Sequence, residues 1–153
     1  MDLALSKLIK EKATELLSSV RSFREHLHQY PELSYEEYET MNFVSKILTE
    51  HNIPHVTGIG KTGVVALIKS DNHSSDECIA LRADLDALPI KEENEVPYKS
   101  KKDGVMHACG HDVHTAILLG TAILLNSVKD SLPKPVKLIF QPGEEKNPGG
   151  ATL

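Results

Sequence analysis

Met106-His107-Ala108-Cys109-Gly110-His111-Asp112-Val113-His114 is the stretch on which the reading of this chain turns. It holds three histidines, an aspartate and one of the chain's two cysteines. These nitrogen, sulfur and oxygen donors are of the kind that bind zinc, manganese, cobalt or nickel. Gly110 lets the backbone turn tightly between Cys109 and His111. Directly behind runs Thr115-Ala-Ile-Leu-Leu-Gly-Thr-Ala-Ile-Leu-Leu125, apolar on nearly every face. A helix of that composition belongs to the core, so the donors are expected at the mouth of a buried helix reaching about Val128. Helical spacing groups His107, His111 and His114 on one face.

On either side of this helix the pattern changes to strands. Downstream, Val136–Phe140 reads as a strand ending in Gln141-Pro142-Gly143-Glu144-Glu145. Upstream, Val64–Ile68 is a β-branched apolar run and Cys78–Ala83 a second strand, either its hairpin partner or its neighbour in one sheet. Between them lies a polar turn at 70–76. Asp84-Leu85-Asp86 closes the second strand, and acids there need a positive partner, supplied by Arg82 or a metal-bound histidine. Strands alternating with a buried helix predict an α/β sheet covered on its faces. Sites in such sheets lie beyond the carboxyl ends of the strands. Asp84 and Asp86 stand at one such end, and Glu144 and Glu145 at another. In extended backbone the two glutamates point to opposite sides, so one can bind a metal while the other moves a proton.

The N-terminal third reads as two helices. Leu5, Ile9, Ala13, Leu16, Val20, Phe23 and Leu27 recur at helical spacing to about Gln29, and Tyr30-Pro31 ends the helix. His26 and His28 read as surface or helix-end histidines in its last turn. A second helix is expected from Ser34, with Ser34 and Glu37 as a capping box, and Asn52–Pro54 closes it. Gly58, Gly60 and Gly63 match a dinucleotide-binding glycine pattern. That pattern must open a helix, whereas Gly63 leads into a strand, so these glycines are read as a loop. Lys91–Asp103 is charged and reads as a surface loop.

The 153 residues suffice for one domain with a core. A formal charge of −5 without a basic run argues against nucleic acid as the main partner. No stretch is long and apolar enough to span a bilayer, and the charged N-terminus lacks a signal peptide's apolar core. Cys78 and Cys109 do not form a disulfide framework. A thiol among metal donors suggests a reducing compartment, and a cytosolic location is expected.

Three motifs in order, Arg82-Ala-Asp-Leu-Asp-Ala-Leu-Pro89, Met106–His114 and Phe140-Gln-Pro-Gly-Glu-Glu145, resemble the metal-dependent amidohydrolases allied to aminoacylase. The branch is that of hippurate hydrolase, bacterial N-acyl-amino-acid amidohydrolases and plant indole-acetyl-amino-acid hydrolases. Arg24-Glu-His-Leu-His28 and Pro31-Glu-Leu-Ser34 resemble it too. The resemblance implies a zinc-peptidase-like α/β fold, a mixed sheet flanked by helices, with two divalent metal ions. It implies Cys109, His111 and Glu145 as metal ligands, Glu144 as general base and Asp86 as the group that orients a ligand. His107 and His114 remain neighbours of the centre rather than ligands. The implied substrate is a small N-acyl amino acid. Such enzymes are longer than this chain and carry further histidine ligands and a lid or dimerisation domain, through which they form homo-oligomers. Residues 1–153 are therefore expected to be the N-terminal part of the catalytic domain, inactive alone. The carboxylate-binding residues cannot be assigned, and Val136–Phe140 is expected at a sheet edge. The alternative is a non-catalytic metal-binding or interaction fragment of the same ancestry.

Overall fold

A computed structural model describes residues 3–73 and 77–152. The chain runs through α1 (Leu3–Gln29), α2 (Tyr38–Glu50), β1 (His55–Ile59), β2 (Gly63–Ile68), β3 (Ile79–Asp84), α3 (His111–Ser127) and β4 (Val136–Gln141). Short 3-10 turns cover Lys129–Ser131 and Gly150–Thr152. Residues 74–76 of the expected polar turn lie outside the described residues.

The four strands form one mixed sheet in the order β1-β2-β4-β3. β2 pairs antiparallel with β1 and β4, while β3 and β4 run parallel. β2 and β3 are therefore neither a hairpin nor neighbours, because β4 lies between them. A parallel pair needs a long crossover, and α3 supplies it. β4 is thus an interior strand, not the edge expected from its place late in the chain. The edges are β3 and the mostly exposed β1.

Period-two alternation decides which face is buried. Val64, Ala66 and Ile68 of β2, Val136, Leu138 and Phe140 of β4 and Ala83 of β3 share one core with Val44, Ile47 and Leu48 of α2 and Leu118, Leu119 and Ala122 of α3. Helical cover therefore lies on this face; the opposite face turns Leu67, Arg82 and Lys137 to solvent. α1 packs along α3. α3 is not buried all round, since Val113 and Ile117 are exposed.

Three local expectations fail for long-range reasons. The second helix begins at Tyr38 rather than Ser34, and Glu37 makes no side-chain cap. Glu32 does that work, accepting the Thr40 N–H at 2.8 Å. His28 is buried rather than at the surface, because α1 packs its last turn against α3. Glu92, in the loop expected to lie in solvent, is buried with it. Gly63 opens β2 and not a helix, which removes the geometry a dinucleotide's phosphates require. No helix among the described residues is long and apolar enough to cross a membrane.

Candidate metal centre

The parallel pairing of β3 with β4 brings their carboxyl ends to the same edge, and α3 starts there. Gly110 adopts φ 87°, a left-handed conformation that suits glycine, and ends the irregular segment just before His111. His107 precedes the helix, so it does not share a helical face with His111 and His114. The last two do, one turn apart, with ring centroids separated by 5.5 Å.

Ligand atoms of Cys109, His111 and Glu145 all lie within 4.8 Å of one another. A second group with the same spread is Asp84, His111 and His114. The Nδ1 of His111 donates to the Asp86 carbonyl at 2.9 Å and lies 3.4 Å from Asp86 Oδ1. A carbonyl only accepts, so the proton is on Nδ1 and the ring turns Nε2 outward. There Nε2 is 3.9 Å from both Glu144 Oε2 and Glu145 Oε1. The two glutamates stand in a turn. They do not diverge as extended backbone would require; both reach His111 from one side.

Asp86 is nearly inaccessible. Its Oδ2 accepts the Ser34 hydroxyl at 2.6 Å and the Glu145 N–H at 2.9 Å. Burial pushes this carboxyl up, but hydrogen bonds from His111, Ser34 and the backbone of Glu145 and Glu144 outweigh it and bring its pKa to about 2. Asp86 in turn raises His111 to about 9, against the opposing effect of burial. Asp84 takes the other route foreseen for acids at the strand end: its Oδ1 accepts Arg82 Nε at 3.0 Å.

The site is electronegative. The Glu145 carboxylate, some burial, and the charges of Glu144 and Asp86 hold the Cys109 thiol above its ordinary pKa. The exposed thiol and glutamates that crowd against the His111 ring fit a divalent cation, which would stabilise the thiolate and the carboxylates alike. Below the site, His107 is buried and neither ring nitrogen has a hydrogen-bond partner among the described residues. Burial lowers its pKa to about 4.

Two residues that bear on the site, Ser34 and Glu37, have the local look of a capping box, and buried His28 that of a surface histidine. The missed signal is the density of acids in Glu32, Glu36 and Glu37 before a helix whose first turn needs only one.

The chain is similar to known hydrolases over most of its length. Residues 80–153 match the model of peptidase family M20/M25/M40. The chain is 55% identical to the N-acetyl-L-cysteine deacetylase of Bacillus subtilis over 130 residues, which is 85% of this chain and 31% of that protein. It is 43% identical over 143 residues to the N-acyl-L-amino acid amidohydrolase of Geobacillus stearothermophilus, covering 94% and 38%. Among solved structures, the Bacillus subtilis YXEP protein, described as a dinuclear metal binding peptidase of the M20 family, superposes with a TM-score of 0.80 at 45% identity. That match covers 92% of this chain and 38% of the other. Residues 80–153 thus carry a domain of the M20/M25/M40 peptidase family. The chain spans about a third of the length of the curated relatives it matches.

Proposed function

We propose that this chain supplies the metal-binding and proton-transfer part of a dinuclear amidohydrolase that cleaves the amide bond of N-acyl amino acids. The observation that carries the reading is the convergence of Cys109, His111 and Glu145, with Glu144 beside them. The deacetylase and amidohydrolase relatives support the substrate class. Cys109, His111 and Glu145 are the ligands in this reading. A divalent cation held by them would supply polarisation of the amide carbonyl and a lower pKa for water.

The protein's own groups do the rest. Asp86 holds the proton on Nδ1 of His111, so Nε2 is the nitrogen that would give up its proton to face a cation. Glu144, exposed and without a close hydrogen bond among the described residues, takes the proton of the attacking water and delivers it to the leaving amine. The leaving amine departs as the free amino acid. Three donors hold one ion adequately and two poorly, so residues 1–153, read as the N-terminal part of the catalytic domain, turn over little by themselves. The free, exposed thiols of Cys78 and Cys109 fit a reducing, cytosolic compartment.

The glutamate roles are separable. In the catalytically competent protein, Glu144→Gln keeps its metal and loses hydrolysis of acetyl or benzoyl amino acids by roughly a hundredfold to ten-thousandfold. Glu145→Gln loses metal. Near-normal turnover in the first variant, together with full metal content in the second, refutes both assignments.

A further inference from the structure

The segment between α1 and α2 has no regular structure, yet it holds the two buried carboxylates Glu32 and Glu37 and a non-glycine residue in the left-handed region, Tyr35 at φ 66°. Three of its residues close on the loop that carries Glu144 and Glu145. Glu37 is fully buried. Its Oε1 accepts the Gly143 N–H at 2.8 Å and its Oε2 the Thr62 hydroxyl at 2.5 Å. The Tyr35 hydroxyl donates to the Pro148 carbonyl. The Tyr35 ring lies against Gly143, where any Cβ would collide with it, and Gly143 itself has φ 60°. Ser34 donates to the same Asp86 oxygen that receives the Glu145 N–H.

These contacts bracket the glutamate pair. Gly143 precedes Glu144, the Glu145 amide sits on Asp86, and Pro148 lies just beyond. Burying a carboxylate is costly, and the turn needs no carboxylate to form. A capping role is also absent. What the Glu37 carboxylate does is fix the amide immediately before Glu144, across 106 residues of sequence.

We propose that Glu37 and Ser34 are positioning residues for the Glu144–Glu145 pair. Glu37 sets the loop's entry through Gly143, and Ser34 sets Asp86 as the shared acceptor that aligns Glu145 and His111. This rests on the reading of Glu145 as a metal ligand. A purely structural role, in which Glu37 merely ties the β1–β2 turn down through Thr62, makes a different prediction.

The test is a Co(II) titration of the 153-residue chain, with thermal unfolding recorded alongside. Glu37→Ala weakens the Co(II) Kd by about 10–100-fold, as loss of an outer partner commonly does, and Glu37→Gln, which retains an acceptor, restores it. Ser34→Ala, at a partly exposed serine that does not threaten folding, weakens Kd by roughly tenfold, and Ser34→Thr restores it. Thr62→Val lowers the melting temperature and leaves Kd unchanged. Wild-type Kd in Glu37→Ala and Ser34→Ala overturns the proposal, as does a loss in Thr62→Val equal to that in Glu37→Ala. Should Glu37→Ala not fold, Ser34→Ala and its threonine rescue decide alone. If Glu145→Gln also binds Co(II) like wild type, the ligand reading falls and takes the proposal with it. If Glu145→Gln loses binding while Glu37→Ala and Ser34→Ala keep it, only the positioning claim falls.

Discussion

Two histidine–carboxylate clusters meet at the first turn of α3, and they use the same chemistry in opposite ways. In one, His28 lies between Asp112, at 2.7 Å from Nδ1, and Glu92, at 3.0 Å from Nε2. Arg24 Nε closes the network on Asp112 at 2.8 Å. Every contact is a hydrogen bond, and His28, Asp112 and Glu92 are buried. In the other, His111 faces Glu144 and Glu145 at 3.9 Å, too far for hydrogen bonds. Glu144, Glu145 and Cys109 there are open to solvent. The closed cluster directs its charges at one another, and its contribution is stability. The open cluster leaves its thiol and glutamates exposed and out of hydrogen-bond reach of His111 Nε2, an arrangement that serves binding.

The largest effect separating the two clusters is on folding. His28→Ala takes a hydrogen-bond partner from two buried carboxylates, Asp112 and Glu92, and should cost about 3–5 kcal/mol in urea denaturation. Cys109→Ser, at an exposed position, should change stability by no more than roughly 0.5 kcal/mol. Equal losses in the two variants would dissolve the distinction between the clusters.

A smaller effect is on pH dependence. Burial pushes the Glu92 carboxyl up, but the Ser100 N–H, His28 and Asn94 together hold it below its ordinary value of 4.5. A carboxylate with a depressed folded-state pKa contributes stability above its unfolded value, and loses it as pH falls through the folded one. Glu92→Gln should therefore be less stable than wild type at pH 7, and the difference should shrink as pH drops below about 4.5. Melting curves from pH 7 to pH 3 measure it, and a constant difference over that range would mean that Glu92 acts by packing alone.

The same contrast explains what could be read from sequence. β2, β3 and β4 each carry a local apolar run, and α1 a clear period, so all four were legible. The donors around His111 were legible because they crowd into nine residues, and the resemblance picked Cys109 and His111 from among them and Glu145 from the turn after β4. What stayed hidden depends on partners distant in the chain. Ser34 and Glu37 have the local look of a cap, and only the approach of Gly143 and Asp86 reveals another use. His28 looks like any histidine at a helix end until α3 and Glu92 enclose it. β1, with Thr57 and Gly58 at its centre and little burial, offers no apolar signal at all. The insertion of β4 between β2 and β3 follows from sheet packing, which a strand's own composition does not encode.

The central claim is that the open cluster is a metal centre built on a thiolate. Its most direct test is a Co(II) titration of the purified 153-residue chain, wild type against Cys109→Ser, read by optical absorption. A thiolate metal centre gives a thiolate-to-cobalt charge-transfer band in the wild type and loses it in Cys109→Ser, with an affinity drop of at least roughly tenfold. An identical spectrum and an identical Kd in the two proteins would show that Cys109 is not a ligand.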